Sequence, residues 1–424
     1  MAGPATFAAY KLIRDLWPQK SIYDELYKVS PCLGIFKKDT NFGERIRYIG
    51  VGTSGPQGIS STFGTAKSNR TASRAEEFQV QKRSYYGNFS IEGLLWRTFE
   101  FTGNKAILVD PMGRDSKNLM TNIKNDLSTF LHGDGAGVLG RLTAGSTVST
   151  ATVTLRSGAD IRKVDRGMAL ELESTGATGG TVRSGFVTVA SVGGTETAPT
   201  ITVDQSAWNA AGGIPAAAAS DYIYRAGTYD TAPLLGLGAW LPNHAGSPAA
   251  FLGVTRTNSV FKLAGNVLDG TLMSPSQRIK RASRIVADTG GTCDTYIMST
   301  RNWEQLSNEL EASGRLKMTK VPAAAVGKMS FGVAYDAIEM IGPGGRMEVF
   351  ADPWCPDDVE RAGQRDTITI ASLSDLVHWD SGATPQAPML EDGADAREIR
   401  CVGDMSMYCE APFYWCRVSV TAPT

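Results

Sequence analysis

The sequence predicts an α+β fold that contains a separate all-β domain, and three observations support this prediction. Alternating apolar and polar residues mark extended strands within 44–91. Apolar residues at helical spacing mark a long helix over 110–132. Short alternating segments between glycine-rich turns fill 142–228 and are typical of a small β-sandwich or barrel. The 424 residues, 42% of them hydrophobic, suffice for about three folding units and exclude a wholly disordered chain.

Net charge and cysteine spacing exclude several classes of protein. The 42 basic and 43 acidic residues leave a formal charge of -1, which argues against a dedicated nucleic-acid binder. No apolar run approaches the roughly 20 residues that span a bilayer, so we expect no membrane partner. None of the six cysteines forms a Cys-x-x-Cys pair, and the three histidines do not pair at helical spacing. We therefore expect buried free thiols and no metal ion.

Residues 1–40 predict an extended N-terminal arm. Apolar residues recur at helical spacing before Pro18 and form one short helix, comprising Leu12, Ile13, Leu16 and Trp17. This apolar surface is too small to make a core alone, so the arm must lie on another surface.

Residues 41–90 predict a long β-hairpin with a polar tip. Glu44–Val51 is the outgoing strand and Glu76–Ile91 is the returning strand. In the tip between them, Gly50–Ala75, 16 of 26 residues are Gly, Ser, Thr, Pro or Asn. A loop of this length is typically either functional or a disordered surface loop, and both interpretations stay open.

Five residues of this tip are predicted to contact a neighbouring subunit. Two are isolated apolar residues in a polar loop and three are basic: Ile59, Phe63, Lys67, Arg70 and Arg74. A neighbour's surface would remove the apolar pair from water. The acidic stretches Glu391–Asp395 and Asp352–Asp358 are candidate partners for the basic residues.

The long helix is predicted to begin at Asp110-Pro111, a capping residue followed by a first-turn proline, and to end at Gly133. A shorter helical piece is predicted to precede it from Ile91. Lys124 and Asp126 lie off the apolar stripe. Four residues on the stripe are predicted to be core: Leu119, Ile123, Leu127 and Phe130.

Helices and strands mix beyond 228. Ser274-Pro275 begins a helix, a strand follows at Thr295–Met298, and the next helix carries Trp303 and Leu306. Further strands are predicted around 337–341, 347–351, 367–371 and in 399–420.

Two motifs match chemical signatures without the context that those signatures require. Gly135–Gly140 has the spacing of a dinucleotide fingerprint, but it follows a helix instead of opening one. His378-Trp-Asp380 has no serine elbow, so His378 is interpreted as a structural residue. We therefore expect a protein with no catalytic residue and no cofactor, not an enzyme.

The order of these elements resembles the tailed-bacteriophage major capsid proteins with the Hong Kong 97-type, or Johnson, fold. The resemblance covers the whole chain apart from the β insertion. It includes a long helix that ends in His132-Gly-Asp-Gly-Ala-Gly137, a strand and short helix over Thr295–Leu306, and a closing strand region over Cys401–Val420. The long helix corresponds to the spine helix of that family.

The resemblance implies a division of the chain into the family's parts. An arm, an extended loop, a peripheral domain with the spine helix and the inserted β domain come first, over 1–40, 41–90, 91–141 and 142–228. The peripheral domain then continues, an axial domain follows, and return strands close the peripheral domain, over 229–273, 274–390 and 391–424.

The resemblance also implies a structural function. Such a protein would be the major subunit of an icosahedral phage head, self-assembling into pentamers and hexamers around double-stranded DNA. It would be made in the host cytoplasm, reside in the virion, contact DNA non-specifically, and meet portal and scaffolding or decoration proteins. Residues 1–140 carry a net charge of +5 and residues 141–424 carry -6, which would favour head-to-tail contacts. An encapsulin-like shell for protein cargo, and a β-rich carbohydrate-binding or enzymatic module centred on 142–228, remain alternatives.

Overall fold

A computed structural model describes residues 31–420, apart from 95, 98–104, 177, 243–248, 313–337, 375, 381–387 and 392. The predicted arm helix before Pro18 lies outside the described residues. The helices with defined bounds are α1 Pro31–Ile35, α2 Phe63–Ser68, α3 Lys105–His132, α4 Leu237–Trp240, α5 Val260–Ala264, α6 Pro275–Asp288 and α7 Thr300–Ala312. Residues 93–94 and 96–97 are helical as well, so the short helical piece predicted from Ile91 begins after that residue. None of these described helices combines the length and the apolar character needed to cross a membrane.

Three six-stranded sheets organise the fold. The strands before the insertion are β1 Lys37–Asp39, β2 Ile46–Ser54, β3 Arg74–Gln81 and β4 Arg83–Glu92. The insertion contributes β5 Gly140–Arg141, β6 Thr152–Thr154, β7 Ala169–Glu173, β8 Val187–Gly194, β9 Pro199–Val203 and β10 Tyr222–Arg225. The remainder contributes β11 Ala250–Phe251, β12 Val254–Thr255, β13 Asn266–Asp269, β14 Thr295–Met298, β15 Ile338–Gly342, β16 Gly345–Ala351, β17 Val359–Gly363, β18 Ile368–Ser372, β19 His378–Trp379, β20 Met389–Leu390, β21 Ala396–Cys409 and β22 Trp415–Ser419.

The first sheet is built on β21. This strand pairs with β4 along one side, from Ala396 opposite Glu92 to Met405 opposite Arg83. Its other side pairs with β18, β19 and β20, and β1 adds parallel to β18. The predicted single returning strand over 76–91 is therefore wrong: β3 pairs with β2 in the hairpin, whereas β4 leaves it at Lys82 to join the first sheet.

The long helix, α3, packs on the β4–β21 ribbon. It begins at Lys105, so the predicted start at Asp110-Pro111 is too late. The ribbon approaches the helix closely at Gly87, where an added Cβ would lie 2.8 Å from Cδ1 of Ile123 and 2.9 Å from Sγ of Cys401. Only glycine allows this approach without displacing neighbours.

The second sheet belongs to the insertion and has the order β5-β10-β7-β8-β9-β6. Its edge strand β5 lies at 140–141, just before the predicted start of the insertion at 142. Its buried residues form a cluster separate from the main core: Leu139, Leu142, Val153, Leu155, Val164, Leu170, Leu172, Val187, Val189, Ile201, Val203, Trp208, Ile214 and Ile223. The alternating segments predicted from the sequence, around 151–155, 168–172, 187–189, 201–203 and 222–224, coincide with β6 to β10. The insertion therefore has its own hydrophobic core.

The third sheet has the order β13-β22-β17-β14-β16-β15 and is packed by α6 and α7. Ser274 and Gln277 form a capping box at the start of α6, where the sequence predicts a helix. The strand predicted at Thr295–Met298 has those bounds in the structure. Two strands do not follow the predicted domain ranges. Strand β18, within the predicted axial range 274–390, lies in the first sheet, and β22, within the predicted return strands 391–424, lies in the third.

Candidate functional site

The base of the extended hairpin is fixed to the main core by aromatic packing. Phe78 on β3 is fully buried, with its ring 5.0 Å from Trp240 and 6.0 Å from Phe251, both edge-on. Val51 and Val80 are also buried. Edge-to-face aromatic contacts add to the stability gained from burial, so this end of the hairpin has a defined position.

Hydrogen bonds extend the attachment along the hairpin. The Gln79 amide donates to the Leu252 carbonyl at 2.8 Å, and Lys262 Nζ donates to the Thr53 carbonyl at 2.9 Å. Asn258 donates to the Glu76 carboxylate at 3.0 Å. Beyond Ser54 the strands end and the tip extends into solvent.

The tip has local structure of its own but leaves its apolar side chains in water. Phe63 begins the short helix α2, and the Ser68 hydroxyl donates to the Gly64 carbonyl at 3.0 Å. Ile59 is nevertheless 82% exposed and Phe63 85% exposed, and α2 buries none of its residues.

The basic side chains of the tip are exposed as well. Lys67, Arg70 and Arg74 form no ion pair with any described residue. Of the acidic residues suggested as their partners, Asp352 is fully buried and cannot meet a neighbour, and Asp395 already binds Arg97 with two hydrogen bonds. These contacts argue against the prediction that Glu391–Asp395 and Asp352–Asp358 bind the basic residues of the tip.

The long-helix stripe faces the main core. Ile123, Leu127 and Phe130 are buried, and Leu119 packs against the same cluster. The polar side of the helix is smaller than predicted, because Lys124 and Asp126 are also buried.

An ion pair between the long helix and the insertion explains the burial of Asp126. Arg225 on β10 binds its carboxylate at 2.6 and 3.1 Å, and the Tyr85 hydroxyl donates to the same group. Burial raises the pKa of Asp126, while Arg225 and Tyr85 favour the ionised form. Sequence reasoning missed this contact because the two partners are 99 residues apart.

A second buried polar network lies at the end of the long helix. Arg361 on β17 donates to the His132 carbonyl at 2.9 Å and lies 3.2 Å from Nδ1 of the same residue. His132 Nε2 faces the Asp352 carboxylate at 3.3 Å, and the Cys32 thiol also bonds to that carboxylate. Burial lowers the pKa of His132 and raises the pKa of Cys32.

Cys32, His132 and Asp352 are metal-ligand residue types whose donor atoms lie within 4.8 Å of one another. Their hydrogen bonding argues against a metal ion. A guanidinium only donates, so Arg361 makes Nδ1 of His132 an acceptor and leaves the ring proton on Nε2. A protonated Nε2 cannot ligate a metal. The cluster is therefore described best as a structural junction between four chain segments.

The two motifs that match chemical signatures both lie at connections between structural elements. Gly135–Gly140 connects the long helix to β5, and Gly135 and Gly137 have positive φ values that favour glycine. His378 Nδ1 lies 3.1 Å from the Ser374 hydroxyl, between β18 and β19. A nucleophile elbow joins a strand to a helix. The connection from β18 to β19 joins two strands, so it is not a nucleophile elbow.

Comparisons with known proteins give a match by structure only. The sequence matches no protein-family model and no curated protein sequence. The capsid asymmetric unit of cyanophage A-1(L) has a TM-score of 0.50 at 10% identity, covering 92% of this chain and 92% of that chain. The native GTA particle capsid has a TM-score of 0.42 at 9% identity, covering 91% and 89%. A structure from Mycobacterium phage Bobi has a TM-score of 0.40 at 12% identity, covering 93% and 92%.

The likeness to the cyanophage capsid extends over nearly the whole of both chains. It includes the arrangement of mixed sheets and few helices that the sequence predicts. The resemblance is thereby confirmed at the level of the fold: this chain has the Hong Kong 97-type fold of the tailed-bacteriophage major capsid proteins.

Proposed function

We propose that this chain is the major capsid subunit of a tailed bacteriophage, a structural protein without catalytic activity. The observation that supports this most directly is the shared fold with a phage capsid across 92% of each chain. Copies of the chain form pentamers and hexamers, which close into an icosahedral head around double-stranded DNA. The subunit is assembled in the host cytoplasm and ends in the virion.

In this proposal the hairpin tip docks on a neighbouring subunit. Ile59 and Phe63 are almost fully exposed in the single chain, and burying each would contribute about 1.5–3 kcal/mol. The rigid base holds the tip away from its own core, so a second copy is the surface available to cover it. Lys67, Arg70 and Arg74 supply charge that favours correct approach to an acidic surface.

The remaining partners follow from the same role. Because each subunit carries a near-neutral formal charge of -1, a shell of such subunits encloses DNA without binding it tightly. Portal and scaffolding or decoration proteins are expected to contact the assembled shell rather than a site within one subunit.

Electron microscopy of the purified protein tests the proposal. Uniform closed shells support a capsid role, and double-stranded DNA inside native particles distinguishes a phage head from a shell that holds protein cargo. A subunit that remains monomeric at high concentration, with and without scaffold, would contradict both.

Deleting Gly52–Ala72 tests the role of the tip. The deletion joins Val51 to Ser73 and leaves a loop over 73–75 between strands that still pair, because Val51 lies opposite Glu76. The subunit should therefore fold, whereas shells should fail to form or should break at raised salt. Shells of normal stability would show that the tip is dispensable.

Point variants and proteolysis refine this test. Replacing Ile59 and Phe63 by serine should weaken assembly, whereas Phe186→Ser, at a 53% exposed position in the insertion, serves as a matched control. Trypsin should cut at Lys67, Arg70 and Arg74 quickly in the free subunit and slowly in shells. Equal cutting in both states would mean that the tip never docks.

A further inference from the structure

A cleft lies between the insertion and the loop that joins β16 to β17, beside the end of the long helix. A hydrogen bond from the Ser157 hydroxyl to the Asp357 carboxylate, at 3.3 Å, joins its two walls. Lys163 and Asp160, which also line it, neutralise each other at 2.8 Å. Its volume of about 220 Å³ is below the roughly 300–1,000 Å³ of typical small-molecule sites. The cleft therefore suits a few side chains of a peptide segment.

The two walls of this cleft carry opposite charges that are not compensated. On the insertion side, Arg141 donates to a backbone carbonyl and Arg156 is exposed. On the loop side are the carboxylates of Asp357 and Asp358. None of these four residues forms an ion pair with another residue that the structure describes. A segment that fits the cleft should therefore bring both signs of charge.

A buried hydrogen-bond donor in the cleft also lacks a partner. Trp354 lines the cleft and is 7% exposed, and its indole Nε1 meets no acceptor in the described part of the chain. An indole N–H can only donate, and buried donors in native proteins are normally satisfied. The missing acceptor is expected to come from a segment that enters the cleft.

The described part of the chain begins beside this cleft. Its first helix starts at Pro31, and the Cys32 thiol bonds to Asp352, the residue that directly follows β16. Thirty residues precede this point. Because these residues have too little apolar surface to form a core alone, they must lie on another surface, and the cleft is adjacent to their point of attachment.

We propose that residues 20–30 of the N-terminal arm dock in this cleft of their own subunit. The segment contains two acidic and two basic residues, so it can compensate both walls: Lys20, Asp24, Glu25 and Lys28. Its covalent attachment beside the cleft gives it a higher effective concentration there than a second copy has. The contact ties the arm, the insertion and the third sheet together within one subunit, and it does not depend on the capsid role.

The order of charges along the segment matches the order of the walls. An extended chain advances at most about 3.6 Å per residue, so Lys28 stays within about 11 Å of Pro31 and Asp24 within about 25 Å. Lys28 therefore pairs with the carboxylates of the loop, which continues from the anchoring Asp352. Asp24 and Glu25, further from the anchor, pair with the arginines of the insertion.

Chemical crosslinking of the full-length subunit tests the contact. All six native cysteines are buried, so a short bismaleimide should react with introduced thiols only. The variant carrying both Tyr23→Cys and Ala159→Cys, in which position 159 lines the cleft, should be crosslinked within one chain. Mass spectrometry of the band that runs as a monomer should then find the peptides around positions 23 and 159 joined. The control pairs Tyr23→Cys with Phe186→Cys, at an exposed position of the insertion outside the cleft, and should give no such product.

Each outcome of this experiment decides the question. A crosslink within the chain at position 159 but not at 186 supports the contact. No crosslink, or equal crosslinking at both positions, overturns it. Covalent dimers would mean that the arm occupies the cleft of another subunit, which overturns docking within one subunit. All of these results can be read whether or not the protein forms shells, so failure of the contact is distinguishable from failure of the capsid role.

Charge substitutions give an independent measurement. Arg156→Glu should make chymotrypsin cut the native subunit after Tyr23 and Tyr27 about two- to fivefold faster, because the loss of an ion pair raises the population of undocked arms. Combining Arg156→Glu with Glu25→Arg should restore slow cutting. Arg166→Glu, at an exposed position of the insertion outside the cleft, is the matched control and should leave the rate unchanged. Equal rates for Arg156→Glu and Arg166→Glu would overturn the contact.

Discussion

Replacing Arg225 by methionine should destabilise the subunit more than removal of any single surface charge. The variant keeps the length and apolar stem of the side chain but removes the partner of Asp126. The Asp126 side chain is 8% exposed and Arg225 is 32% exposed, and two hydrogen bonds join them. Of the two donors Arg225 and Tyr85, only the Tyr85 hydroxyl would then remain to bind the Asp126 carboxylate.

The expected cost follows from this burial. Breaking a buried ion pair by removing one partner typically costs 3–5 kcal/mol, because a buried charge loses its compensation. Arg225 is partly exposed, so water can reach its place, and we expect about 2–3 kcal/mol. Combining Arg225→Met with Asp126→Asn removes the charge as well and should bring the cost to within about 1 kcal/mol of the parent.

Urea unfolding of the dissociated subunit measures these changes as shifts in the midpoint at constant slope. Arg97→Met is the matched control, because Arg97 and Asp395 form a two-bond pair on the exposed surface, and its midpoint should not move. The loss of stability caused by Arg225→Met should become smaller as the pH falls, since protonation of Asp126 removes the buried charge. If Arg225→Met lowers the free energy of unfolding no more than Arg97→Met does, the reasoning is refuted.

The remaining predictions concern the long helix, the network at its end and the insertion. Ile123→Asp should cost several kcal/mol by burying a charge against the β4–β21 ribbon, whereas Lys117→Asp, on the exposed side, should be tolerated in the same unfolding assay. The lowered pKa of His132 means that the folded state binds fewer protons than the unfolded state, so stability should fall as the pH drops below about 6.5. His132→Gln should remove that part of the pH dependence. Excising the insertion between Leu142 and Thr228 should leave soluble capsomers if Asp126→Asn accompanies it, and aggregation of this variant would mean that the insertion is integral to the fold.

Elements set by local signals were predictable from the sequence. The capping residue and proline at 274–275 mark the start of α6, and the apolar strand at 295–298 has the predicted bounds. The strands β6 to β10 of the insertion were equally clear because each alternates between turns rich in glycine, whereas the two-residue strand β5 was not predicted. In these segments the nearest neighbours along the chain decide the structure.

Elements set by distant partners were not predictable. Lys124 and Asp126 follow the pattern of a solvent-facing side, yet both are buried, and Asp126 is held by Arg225 of the insertion and Tyr85 of β4. The alternating pattern of 76–91 continues through Lys82, so the sequence gives no sign that one strand ends there and another begins. The separation is decided by β21, the partner of β4, which lies in the last 29 residues of the chain. The exposure of Ile59 and Phe63 was predictable because no other large apolar residue lies between 52 and 74.

The pairing of β4 with β21 has a consequence for biosynthesis. About 300 residues separate the two strands, and a ribosome that adds roughly 5–20 residues per second needs about 15–60 s to cover that distance. During this interval the long helix exists without the ribbon that covers its apolar side. Nascent chains crowded on one polysome would expose this side to each other, so a chaperone that shields the growing polypeptide should raise the yield of native subunits in proportion to expression level.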